Sequence, residues 1–216
     1  MEKNDMNPTR TPNIVLNAIV AIAMLAAVAL SQDRASNEAG DIQFELIGQV
    51  TNGSPTTSIQ YGYFTFINGI SGVAPIFNPG PQNETTALFT FFNDTVNQSV
   101  INNGSIRVIN RIGTTTIYLN TAPAGNFADP DSFRNGTPVQ TSILRHQVVI
   151  DTLTGAFTTT FVNTITSVER FQVENSHFRL GKIGQTFRTT VLGHLQTPPP
   201  SAYIAGFAVG PDLVRP

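Results

Sequence analysis

His146, His177 and His194 are the side chains of this protein best suited to carry protons or bind a metal near neutral pH. Zinc hydrolases draw two such ligands from one turn of a helix, and these three lie too far apart for that. A nucleophilic triad needs a serine raised on a strand-turn-helix elbow, and no Gly-x-Ser-x-Gly sequence is present. His194 shares a strand face with Arg188 and Thr190, which assigns it to solvent, and His177 sits in a polar turn. His146 differs. Within Ile143–Ile150 it has the parity of Leu144, Val148 and Ile150, while Arg145 and Gln147 lie on the other face. It is expected to point inward, either as a core histidine with partnered ring nitrogens or as the polar anchor of an apolar ligand pocket. Burial would hold its pKa below about 6.5, and Asp151, of opposite parity, would not offset that.

Other candidates reduce to turn chemistry. Asp129-Pro130-Asp131-Ser132 spaces two carboxylates as calcium prefers, but no further oxygen ligands or terminal Glu follow, so no metal site is assigned. Leu180 to Thr186 (LGKIGQT) lacks the Ser or Thr after Lys182 that a phosphate loop needs, and a strand rather than a helix follows. It is expected to be a hairpin turn, and no cofactor is implied. Asn-x-Ser/Thr sequons occur at Asn52, Asn83, Asn93, Asn97, Asn103 and Asn135, which are glycosylation acceptors only in a competent host. The absence of cysteine excludes thiol catalysis, thiolate metal sites and disulfides.

The elements that must carry these residues are strands. Period-two alternation runs through Asp41–Leu46, Ile59–Ile67, Thr85–Phe92, Ser105–Ile109, Thr114–Leu119, Ile143–Asp151 and Ala156–Ser167. It continues through Val168–Val173, Phe178–Leu180, Thr186–Leu195 and Ala202–Val209. Thr152-Leu153-Thr154-Gly155 reads as a hairpin connection, and Asn-Gly pairs at Asn52, Asn68, Asn103 and Asn135 read as turns. A short helix fits only around Asn126 to Phe133. Ile59–Ile67 and Thr85–Phe92 carry bulky groups on both faces, which suits a wall packed on each side. The fold expected is a single antiparallel β-barrel, with a two-sheet β-sandwich as the alternative.

Charged residues make up only 12% of the chain and the net charge is -2. That balance excludes strong electrostatic steering to nucleic acid or anionic lipid, and low charge with many aromatics argues against disorder. Residues 1–31 have the form of a signal peptide or signal anchor, with Lys3 and Arg10 ahead of the apolar run Ile14–Leu30 and small residues at its end. Residues 32–40 read as a linker and 41–216 as the all-β domain. The expected protein is secreted or extracytoplasmic, touching membrane only through an uncleaved residue 14–30 segment.

This outline, a leader followed by one small all-β barrel, is similar to that of lipocalin-like carriers and of the dirigent and allene-oxide-cyclase barrels, at the level of fold alone. Two function classes follow. One is a non-catalytic exported protein that binds a partner or belongs to a cell surface. The other is a barrel whose lumen holds a small hydrophobic molecule at His146, with cyclisation or isomerisation as the chemistry that the resemblance implies. The volume of the interior separates them.

Overall fold

Long alternating segments pair in sequence order and close on themselves. A computed structural model describes residues 41–123, 125–197, 200–211 and 214–215. The expected leader and linker therefore lie outside the described residues. Eight strands form a closed antiparallel barrel: β1 (Ile42–Ser54), β2 (Thr57–Ile67), β3 (Phe89–Asn103), β4 (Ile106–Leu119), β5 (Thr137–Asp151), β6 (Ala156–Val168), β9 (Thr186–Leu195) and β10 (Ala202–Val209). Between β6 and β9 the chain makes two short strands, β7 (Phe171–Val173) and β8 (Ser176–Leu180). With β11 (Val214–Arg215) these form a separate three-stranded sheet. The barrel closes where β1 pairs with β10, from Ile42 opposite Val209 to Val50 opposite Ala202. This closure decides for the barrel over the sandwich.

Several sequence boundaries need correction. Thr85–Leu88 belong to a loop, and β3 begins at Phe89 and continues through the polar stretch to Asn103. Ser105–Ile109 and Thr114–Leu119 are parts of one strand, β4, which runs through Gly113. A Cβ at Gly113 would run into the Asp94 carbonyl of β3, so glycine permits the close approach there. Asn103-Gly104 and Asn68-Gly69 turn at positive φ, as expected. Asn52-Gly53 instead lies within β1, whose hairpin turns at Pro55-Thr56 with the Ser54 hydroxyl accepting from the Thr57 N–H at 3.1 Å. Asn135-Gly136 follows a 3-10 helix (Pro130–Arg134) and lacks positive φ. Val168–Val173 is broken at Glu169-Arg170, where the chain leaves the barrel for the small sheet. LGKIGQT is a turn but not a hairpin, because β8 pairs with β7 and β11 whereas β9 pairs with β6 and β10.

The barrel is filled unequally. Toward one end, Phe44 meets Phe64 and Phe187 edge-on at centroid distances of 4.9 and 5.4 Å, and Phe64 meets Phe91 at 5.7 Å. Phe171 and Phe178 of the small sheet extend this cluster, Phe171 lying 5.6 Å from Phe89. Gln140 of β5 donates to the Leu180 carbonyl at 2.6 Å and ties the sheet to the wall. This end is plugged.

The bulk on both faces of β2 and β3 has a direct cause. Outside the barrel, Tyr61 and Phe92 pack under Phe133, with Phe127 alongside, beneath the segment that carries the 3-10 helix. The Arg134 guanidinium caps this second cluster 3.5 Å above the Phe92 ring and pairs with Asp94 at 3.1 Å.

Candidate functional site in the barrel mouth

The plug leaves the opposite end of the lumen open. At that mouth lie the C-terminal ends of β1, β3, β5 and β9 and the N-terminal ends of β2, β4, β6 and β10. A cavity of about 70 Å³ sits in it, between apolar walls that include Val148, Ile150, Phe157, Val191 and Ile204. The polar side chains on it include Gln60, Arg111, His146 and Thr159. A single water needs about 10–15 Å³ of such space, so the cavity admits several waters or a few heavy atoms of a ligand. It is far smaller than the roughly 300 Å³ at which drug-sized pockets begin.

Strand register places the polar groups. Asn97, Arg111, His146, Phe161 and Thr189 pair in succession across β3, β4, β5, β6 and β9, and all point inward. His146 is 4% exposed and stacks on Phe161 at a centroid distance of 4.6 Å. The expected orientation with Leu144, Val148 and Ile150 is present, since all three are buried too. Its Nδ1 is buried without a hydrogen-bond partner. Burial, and then the nearby Arg111 guanidinium, push its pKa down to about 3. The ring is therefore neutral at physiological pH.

Arg111 is the residue that sequence reasoning missed. It is 8% exposed, yet its Nε donates only to the Asn97 Oδ1, at 2.7 Å. Among the described residues both ion pairs belong to Arg134, with Asp94 and Asp131, and Arg111 has none. Burial, and then Arg107, lower its pKa to about 10, which still leaves it charged at neutral pH. Parity offered a signal, because Arg111 alternates in step with Ile109, Thr115 and Ile117. The signal was masked by reading Asn110–Gly113 as a break.

The remaining candidates lie elsewhere. His194 is exposed on the outside of β9, its Nδ1 2.8 Å from the Leu195 carbonyl oxygen, and His177 is exposed on β8. Asp129 and Asp131 flank Pro130 at the start of the 3-10 helix, where Asp131 pairs with Arg134 at 3.3 Å. Of the sequon asparagines, Asn52, Asn103 and Asn135 are exposed, while Asn83 and Asn97 are half-buried. Asn93 is 4% exposed and faces the lumen, so the folded chain does not present it to a glycosylating enzyme.

Comparison of the chain with protein families, with curated proteins and with solved structures finds no match.

Proposed function

We propose that this is an exported, non-catalytic binding protein whose barrel mouth takes a small amphipathic organic acid. The carrying observation is Arg111, a desolvated guanidinium with no carboxylate partner among the described residues, opening on an apolar-walled cavity. A buried charge without a counter-ion is costly, and an incoming anion removes that cost while the walls bury its hydrocarbon part. The neutral His146 adds a hydrogen-bonding ring beside the head group without competing for its charge. The cavity volume favours a short-chain acid over a lipid or a polycyclic ligand. Calorimetry with pentanoate and pentan-1-ol tests the reading. The acid should bind and the alcohol should not, and Arg111→Gln should abolish the difference. Equal binding of both molecules would overturn it.

Attachment to a cell surface is a second reading, favoured by apolar side chains outside the barrel. Leu192, Ala205 and Ile47 are registered neighbours across β9, β10 and β1, and exposed Tyr203 and Phe207 flank them. Leu192→Glu with Phe207→Glu should then release the protein from the host envelope. Unchanged fractionation would contradict this reading. Export itself rests on the Ile14–Leu30 pattern. A mature N-terminus between Leu30 and Gln32, or an intact anchor in the membrane fraction, is expected by mass spectrometry, and full-length soluble cytosolic protein would refute it.

A further inference from the structure

A polar row crosses the lumen deeper than Arg111. Gln60, Asn93, Thr115 and Ser142 are registered neighbours on β2, β3, β4 and β5, and all four are buried. Each carries an atom without a hydrogen-bond partner: Gln60 Oε1, Asn93 Oδ1, Thr115 Oγ1 and Ser142 Oγ. Because the strands tilt, the row descends along the lumen. Gln60 lines the mouth cavity, whereas Asn93 and Thr115 line a second cavity of about 20 Å³ further in. Asn163 and Thr189 face the same space from β6 and β9, and the Asn163 Oδ1 is also unpartnered. Phe161 and Ile204 wall both cavities and so stand between them.

Chemistry narrows what can enter. Among the described residues no charged side chain lines the deeper cavity, so a second charged group would be buried without compensation. A methyl group would leave the oxygens of Asn93, Thr115 and Asn163 unpaired, at the full desolvation cost of each. A hydroxyl both donates and accepts, and a space of about 20 Å³ holds a group the size of a water.

We propose that the deeper cavity is a second subsite, which receives a hydroxyl carried on the far end of the organic acid bound at Arg111, and that Phe161 turns to join the two spaces. This rests on the anion-binding reading of the mouth. The natural ligand class is then a short hydroxy acid rather than a plain fatty acid. The stack of His146 on Phe161 holds the partition closed in the free protein.

The test is calorimetry on the full chain with butanoate, pentanoate and hexanoate and their ω-hydroxy counterparts, using wild type, Arg111→Gln, Asn163→Leu and Thr115→Val. Wild type should prefer the hydroxy acid by about ten-fold or more at one or more chain lengths, since tenfold needs only about 1.4 kcal/mol. Asn163→Leu and Thr115→Val should each cut that preference to below about three-fold, a change within reach of one lost hydrogen bond. Thr115→Val is nearly isosteric and keeps the test valid if Asn163→Leu fails to fold. Two results would overturn the subsite and leave the mouth site standing. One is Arg111-dependent binding with no hydroxy preference, as expected if the deeper cavity holds only water. The other is a hydroxy preference unchanged in both variants. No binding of any acid, or binding indifferent to Arg111→Gln, would instead overturn the anion site, and the subsite with it.

Discussion

Acid should weaken this barrel through one imidazole. His146 has a pKa of about 3 in the folded protein, against about 6.5 for histidine in an unfolded chain. Between these values the unfolded chain binds a proton that the folded chain excludes, so stability rises with pH across the window. The penalty is absent above about pH 7, grows as pH falls through about 6.5, and is complete below about pH 3. A gap of about 3.5 pH units is worth about 5 kcal/mol at about 1.4 kcal/mol per unit. The Arg111 guanidinium adds to the effect of burial, and among the described residues no carboxylate opposes it. His146→Phe removes the titration and keeps an aromatic ring against Phe161. Urea unfolding followed by far-UV circular dichroism isolates the effect, because the carboxylates titrate in both proteins. Stability of wild type relative to the variant should fall by about 2 kcal/mol between about pH 6.5 and about pH 4.5. Parallel pH dependences would show that the imidazole reaches solvent or finds a partner, and the reasoning would be refuted.

Phe133 is 0% exposed at the centre of the outer cluster, so Phe133→Ala should cost about 3–5 kcal/mol in urea unfolding. A loss below about 1 kcal/mol would show that the cluster is not a second core. Gly113→Ala should cost about 1–3 kcal/mol, because its Cβ meets the Asp94 backbone rather than a flexible side chain. An unchanged midpoint would contradict the close approach of β3 and β4 there. Asn163 is 2% exposed with an unpartnered amide oxygen, so Asn163→Leu should stabilise the ligand-free protein by about 1–3 kcal/mol without changing the denaturant slope. A loss of stability would mean that the amide is well satisfied.

Local pattern carried much of the fold. Ile143–Asp151 and Ala156–Ser167 alternate strictly, and Gly155 at φ 75° ends the connection between them, so β5, β6 and the inward face of His146 were legible. Strand identity failed where polar residues continue a ladder. Asn93 to Asn103 has the composition of a turn, yet β3 runs through it because β4 supplies a partner from Asn93–Thr115 to Asn103–Ile106. The barrel was the expected fold, with the sandwich as its alternative. The strands that close it were not legible, since the β1–β10 pair joins opposite ends of the described chain and leaves no local mark on either strand. The site was half visible for the same reason. Parity brings His146 inside, but only long-range register sets Arg111 beside it and aligns Gln60, Asn93, Thr115 and Ser142 into one row. An isolated Arg, Asn or Thr reads as surface until its neighbours across the sheet are known.

The central claim is that an organic anion enters the barrel mouth and meets Arg111. Nuclear magnetic resonance tests it most directly, because Arg111 is 8% exposed and its Nε–H donates to the half-buried Asn97 Oδ1 at 2.7 Å. Pentanoate titrated into the labelled protein should shift that resonance together with the backbone amides of Gln60, His146 and Thr159, which line the cavity. The plug residues Phe171 and Phe178 should stay unmoved. Shifts confined to Ile47, Leu192, Tyr203 and Phe207 on the outer face, or none at all, would contradict the account.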